Sequence, residues 1–285
     1  SGAPCLEQFV WLWGLQLQFG DLAPVTLQFH LLALAFRAPG LPDWERAKPV
    51  LAGDTDWVPD EVLPAPPSML PAAERRRTGP FIRLALETAA AAAREWGGDA
   101  EDLPVVFASY GGDLEVVHSI CHALSLPDRP VSPVKFHNSV HNAVVGYWAI
   151  GMKSRQPATA ISAGPHGFVN GLVEAALQAL DSDRPVMYLC TEYPAPGPLA
   201  GHADRGGAAA LAMILATSAG RPIMLEQVDE TYSLTPVPPG LQDLARLNAV
   251  TRAVPLLRAL ASPELAEIVM QADSGVRWRF KVEER

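Results

Sequence analysis

Little in this sequence is basic, cysteine-rich or continuously apolar, and each shortage removes a class of function. Lys and Arg number 22 against 31 Asp and Glu, a formal net charge of −9. An acidic field works against non-specific nucleic-acid binding and against anionic lipid surfaces, both of which need clustered cations. Arg75-Arg76-Arg77 is the one basic run; a solvated helix-entry cluster is the more common form of such a run. The three cysteines, Cys5, Cys121 and Cys190, are an odd count, and no pair has CxxC spacing. A disulfide framework or zinc ribbon is therefore not expected, and a reducing cytoplasmic location is. The apolar stretch from Phe9 to Phe19 is broken by Gln16 and Gln18 and is shorter than the ~20 residues that span a bilayer. No basic segment precedes it, so it is not read as a secretory leader. Residues 1–24 are read as an accessory segment and residues 25–285 as one domain.

What the chain has is apolar mass in alternating short blocks. With 49% apolar residues over 285 positions it has enough material for a large α/β core. Val25–Phe36 reads as a first strand and Asp43–Leu51 as a helix capped by Asp43. Gly53–Pro71, rich in proline, reads as a crossing loop. Pro80–Trp96 has strong helix formers between Pro80 and a Gly97-Gly98 stop. Val105–Ser109 (strand), Asp113–Leu124 (helix), Ser139–Met152 (a very apolar helix), Ala158–Ala163 (strand), His166–Leu180 (helix) and Val186–Cys190 (strand) follow. Ala208–Thr217 and Ile223–Thr231 read as strands, helices as starting at Leu241 and Pro263, and Val276–Val282 as a last strand. Such alternation predicts helices layered on a sheet.

Three stretches together resemble the N-terminal half of β-ketoacyl synthases. Arg75-Arg76-Arg77-Thr78-Gly79-Pro80-Phe81-Ile82 enters an Ala-rich helix. Phe107-Ala108-Ser109-Tyr110-Gly111-Gly112-Asp113-Leu114-Glu115 is similar to the family's strand–Gly-Gly–helix passage. Ser132-Pro133, Phe136, Ser139, Asn142-Ala143 and Gly146 lead to Ser162-Ala163-Gly164-Pro165-His166-Gly167, where the family has Thr-Ala-Cys-x-x-Gly. The resemblance implies a half-thiolase α/β fold, a layered mixed sheet flanked by helices.

The departures from the family carry the functional expectation. Its nucleophilic cysteine is activated at a helix N-terminus; the matching position here is Gly164, which cannot hold an acyl thioester. The family's two catalytic histidines lie in a C-terminal half. His202 comes too soon after Gly164 to match them, and no histidine lies beyond it. Ala38-Pro39-Gly40-Leu41-Pro42-Asp43-Trp44 and Ser139-Val140-His141-Asn142-Ala143 resemble the related chain length factors, including those of aryl-polyene pigment clusters. The resemblance implies a subunit without catalytic residues, cofactor or metal. It would pair with a catalytic ketosynthase, or self-associate as a homodimer, and meet an acyl carrier protein in fatty-acid or polyketide synthesis. Leu114, Val117, His118 and Cys121 would shape the acyl tunnel. Phe136, His141, Asn142, Val145, Trp148 and Ile161 would form the dimer interface.

Other readings of the same residues stand beside this one. His118 and His122, at i and i+4, have a zinc-binding spacing but no third ligand in sequence; surface or interface histidines are the simpler reading. Ser139 with His141, or His166 with a local serine, would suit an acyl hydrolase or acyltransferase. No Gly-x-Ser-x-Gly elbow supports it, and Ser139 also suits a helix N-cap. A self-associating structural or acyl-binding protein is the third class. Cys121 on a helix and Cys190 in a strand read as small apolar residues.

Overall fold

The computed structural model describes residues 9–12, 15–18, 24–200, 206–262, 266–273 and 275–283. Cys5, His202 and most of the 1–24 segment lie outside the described residues. Within that segment, β1 (Phe9–Leu12) and β2 (Leu15–Gln18) form an antiparallel pair. The order then runs β3 (Thr26–Arg37), α1 (Trp44–Ala52), α2 (Ala72–Arg75), α3 (Pro80–Trp96), β4 (Val105–Ala108), α4 (Leu114–Ser125), α5 (Pro133–Asn138) and α6 (Ala143–Met152). It continues with β5 (Ala158–Ile161), α7 (Gly167–Ser182), β6 (Val186–Glu192), β7 (Ala209–Ala216), β8 (Arg221–Val228), α8 (Gln242–Ala245), α9 (Val254–Ala261), β9 (Glu267–Asp273) and β10 (Val276–Val282).

Eight strands form one mixed sheet in the order β5-β4-β6-β7-β3-β8-β10-β9. The pairs of β4 with β5 and β6 are parallel and the rest antiparallel. Helices cover both faces. On one, Tyr188, Cys190, Leu211 and Met213 pack with α7 and α9; on the other, Met187, Leu189, Ala212 and Ile214 pack with α3 and α6. Strand β3 presents Phe29 and then Leu34 and Phe36 to the same face, an odd position followed by even ones. A register shift between Leu31 and Ala33 makes this possible: one extra residue flips the alternation. Gly220 sits over that bulge, and a Cβ there would fall 2.4 Å from the Leu31 carbonyl oxygen.

Local signals placed most boundaries. Asp43 accepts from the Arg46 amide at 2.8 Å, and α3 runs from Pro80 to a left-handed Gly97 (φ 74°). Two expectations need correction. The helix expected over Ser139–Met152 starts only at Ala143: a separate helix, α5, ends at Asn138, and Ser139 is its C-cap, donating its hydroxyl to the Phe136 carbonyl at 2.8 Å instead of capping α6. The helix expected from Pro263 starts outside the described residues, and Glu267–Asp273 is strand. Its apolar run fits either state, and pairing with β10 across the turn at Gly275 (φ 78°) decides it. The other late helix is brief, Gln242–Ala245, with α9 following it.

Candidate functional site

The turn joining β5 to α7 is the centre of the site. After Ile161 the chain passes Ser162 and Ala163, makes a 3-10 turn over Gly164–His166 and enters α7. Gly164 has φ +56°, a conformation that side chains disfavour. Space is not the obstacle: the nearest atom to a Cβ there is Cε2 of Tyr110, 3.8 Å away.

Tyr110 is held from two sides. Its backbone N–H donates to Oε1 of Glu192 at 2.5 Å, and its carbonyl accepts from the Ser162 hydroxyl at 2.8 Å. Glu192, buried at the end of β6, thus ties the end of β4 to the turn. Next to it Ser109 accepts the Gly112 amide at 3.0 Å, and Nε2 of His141 lies 3.1 Å from the Ser109 carbonyl oxygen. The His141 ring stacks at a tilt on Phe107, centroids 5.7 Å apart. Fold and turn therefore bring together Ser109, Tyr110, His141, Ser162, Gly164 and Glu192. Sequence reasoning singled out His141 and Gly164 but missed Glu192; an acidic residue closing an otherwise apolar strand was its only signal.

The chemistry available at this turn is limited. Neither described thiol lies on it. Cys190 is buried in β6, where burial and then the Glu192 charge push its thiol well up, away from thiolate. Cys121 is exposed on α4. Ser139 and His141 bond to Phe136 and Ser109 respectively, so they do not form a nucleophile–base pair.

The residues expected to shape a tunnel all lie on α4, which is capped by Asp113 through the Val116 amide at 3.2 Å. Of α4 only Val116 is buried; Leu114, Val117 and His118 are half-buried and Cys121 is exposed. The His118 ring packs on Gly197 (φ +54°), where a Cβ would come within 2.9 Å of it. His118 and His122 acquire no third His, Cys, Asp or Glu at metal-binding range among the described residues.

The interface residues divide. Phe136 is 68% exposed, Asn142 is exposed, and His141 and Ile161 are half-buried, Ile161 on the edge strand. Val145 and Trp148 are 4% and 2% exposed and belong to this chain's own core with α3 and β4. Reading them as partner contacts is corrected: the apolar load of α6 is satisfied within the protomer, and a buried side chain cannot also face a partner. In their place Leu124, Leu126, Val134, Val140 and Ile150 stand exposed beside Phe136 in sequence or on adjoining helices.

The sheet and the strand–turn–helix at Gly164 define a ketosynthase-like protein of thiolase-like fold. The chain belongs to the β-ketoacyl synthase N-terminal domain family, whose model matches residues 44–278. Among solved structures, a ketosynthase in complex with its chain length factor from Xenorhabdus doucetiae is similar at 22% identity, with a TM-score of 0.69, over 90% of this chain and 99% of that one. A type II polyketide synthase acyl-carrier protein in complex with its ketosynthase is similar at 10% identity and TM-score 0.69, over 91% and 100%. The ishigamide ketosynthase/chain length factor gives 11% and 0.62, over 90% and 99%. At these identities the likeness is one of fold. No curated protein matches the sequence. No helix among the described residues is long and apolar enough to cross a membrane.

Proposed function

We propose that this chain is a non-catalytic, chain-length-factor-type subunit. It pairs with a catalytic β-ketoacyl synthase and helps shape the acyl tunnel in fatty-acid or polyketide synthesis, of the aryl-polyene type. The observation that carries this reading is Gly164: a ketosynthase fold with no nucleophile at the turn that should present one. A partner would then supply the thiolate and the histidines, and an acyl carrier protein would deliver the chain.

Two features of the surface support pairing. Strand β5 is one edge of the sheet, and an unpaired edge is a template for a further strand. The opposite edge, β9, is treated differently. The Val269 amide donates to Thr235 Oγ1 at 2.8 Å, the Thr235 amide to the Val269 carbonyl at 3.0 Å, and Asn170 Nδ2 to the Ala272 carbonyl at 2.7 Å. Phe136 and Val140 stand exposed, and Ile161 lies on the edge strand itself, apolar side chains suited to burial by a partner.

Co-expression with a catalytic ketosynthase from the same gene cluster, followed by size-exclusion chromatography, tests the proposal. The expected result is a stable heterodimer that Phe136→Glu weakens by tenfold or so, about 1.4 kcal/mol, with the variant chain still folded. Failure of the two chains to co-elute, or full condensing activity from this chain alone, would refute it.

A further inference from the structure

A concavity lies away from α4 and from the β5 edge. It has a volume of about 420 Å³ and is walled by the first turn of α7, the strap around Leu234–Val237, α8, the start of α9 and strand β9. The size falls within the ordinary range for small-molecule sites. The walls are bonded to one another before any ligand arrives: Thr235 and Val269 exchange the two hydrogen bonds described above, and Gln242 Nε2 donates to the Val237 carbonyl at 3.4 Å.

Its lining has two chemistries. Phe168, Val169, Val237, Pro255 and Met270 give it an apolar floor. Its charged lining residues are Arg246 and Arg252, with His166 close to the Gly164 turn and no Asp or Glu among the described residues that line it. In a chain of net charge −9 this local excess of cation is against the trend of the whole. Arg246 is solvent-exposed at the C-cap of α8, so that cation sits at the rim while Phe168 and Val169 are buried beneath. An apolar floor selects an apolar tail, and a cationic rim selects one anionic head.

We propose that this cavity binds a medium-chain fatty carboxylate, tail against Leu234, Val237 and Ala245, head at Arg246. A neighbouring hollow of about 680 Å³ shares Pro165, His166 and Gln271 with it and reaches Gly164, so the cavity adjoins the turn at the centre of the site. No residue of α4 lines the cavity, and the site is complete within one chain; it stands or falls independently of the pairing proposed above.

Calorimetric titration of the full chain with decanoate, with decanol and with decanoyl-pantetheine tests this. Decanoate should bind saturably with Kd near ~0.1 mM, as expected for a ligand of that size. Arg246→Glu, at an exposed rim position, should weaken decanoate roughly tenfold and leave decanol unchanged. Ala245→Trp, which fills the cavity from α8, should abolish binding of both. Amide hydrogen exchange on the unmutated chain provides a measurement free of any folding defect, with decanoate slowing exchange in Phe168–Val169 and Val269–Gln271. Absence of saturable decanoate binding, protection elsewhere in the chain, equal weakening of decanol and decanoate by Arg246→Glu, or tighter binding of decanoyl-pantetheine than of decanoate would each overturn the proposal.

Discussion

The Tyr147 hydroxyl donates to Oδ1 of Asn138 at 2.9 Å, and this bond pins α6 to the end of α5. Asn138 Nδ2 donates in turn to the Arg77 carbonyl at 2.8 Å, so one buried amide joins three segments. Burial raises the Tyr147 phenol above its ordinary value, which keeps the hydroxyl a donor through neutral pH. Tyr147→Phe would leave a buried amide oxygen without its partner and is expected to cost about 1–3 kcal/mol. Urea unfolding measures it; a change below about 0.5 kcal/mol, the usual range for a neutral substitution, would show that packing alone holds the joint.

Asp113 gives a pH dependence of definite sign. Burial, opposed by the Val116 amide and reinforced by Glu115, raises its carboxyl above the ordinary 3.8. The folded state therefore holds this proton over a range in which the unfolded chain has released it. The contribution is fully present below 3.8 and is lost as pH rises through the raised value. Asn caps helices as well as Asp does. Asp113→Asn should flatten this part of the stability–pH profile and leave the protein no less stable at pH 7. Midpoints of urea unfolding from pH 4 to 7, parent against variant, decide it; parallel profiles would mean that Asp113 titrates normally.

Gly164→Cys restores the family's thiol in a left-handed backbone. The room around a Cβ there is adequate, so the cost is conformational, roughly 1–2 kcal/mol. The variant should fold yet not condense acyl and malonyl thioesters, because a thiol alone lacks its acid–base partners. Thermal unfolding and product analysis by mass spectrometry check the two halves. Condensation by the single variant would show that this chain already holds the rest of the machinery.

If α4 faces the growing chain in the complex, volume at Val117 sets product length. Val117→Ala should shift products longer and Val117→Trp shorter, with each added carbon pair resisted by roughly 1–3 kcal/mol of overlap. Product masses from a reconstituted pathway would show this, provided that the heterodimer survives. Identical distributions for both variants would place the gate off α4.

Much of the fold was legible because its signals are local. Pro80 and Gly97 bound α3 through backbone chemistry that needs no partner, Asp43 and Asp113 cap helices through amides three residues on, and the alternation in β10 shows its own pleat. The family resemblance rests on the order of such signals, and it led to Gly164, on which the proposed function rests. Tertiary structure was needed wherever one pattern fits two states. The apolar run at Glu267–Asp273 fits helix or strand, and only hydrogen bonds to β10 make it strand. Ser139 can cap the start of a helix or the end of one, and in the fold it closes α5, with α6 beginning at Ala143 and the Asn138–Tyr147 bond joining the two.

The same limit separates interface from core. On α6 the apolar residues run around the helix, so periodicity cannot say which side meets a partner. The packing of α3 takes up Val145 and Trp148 and leaves Phe136 and Val140 outside. By itself the sequence determined that position 164 carries no thiol, because the absence of a side chain is a fact of composition at one position. The setting of that position is a matter of distance. Glu192 reaches the Tyr110 amide across 82 residues, and the cationic rim at Arg246 meets an apolar floor drawn from α7 and β9. Side chains so far apart along the chain share a site only after the sheet has closed the loops between them, and that closure was decided by the tertiary structure.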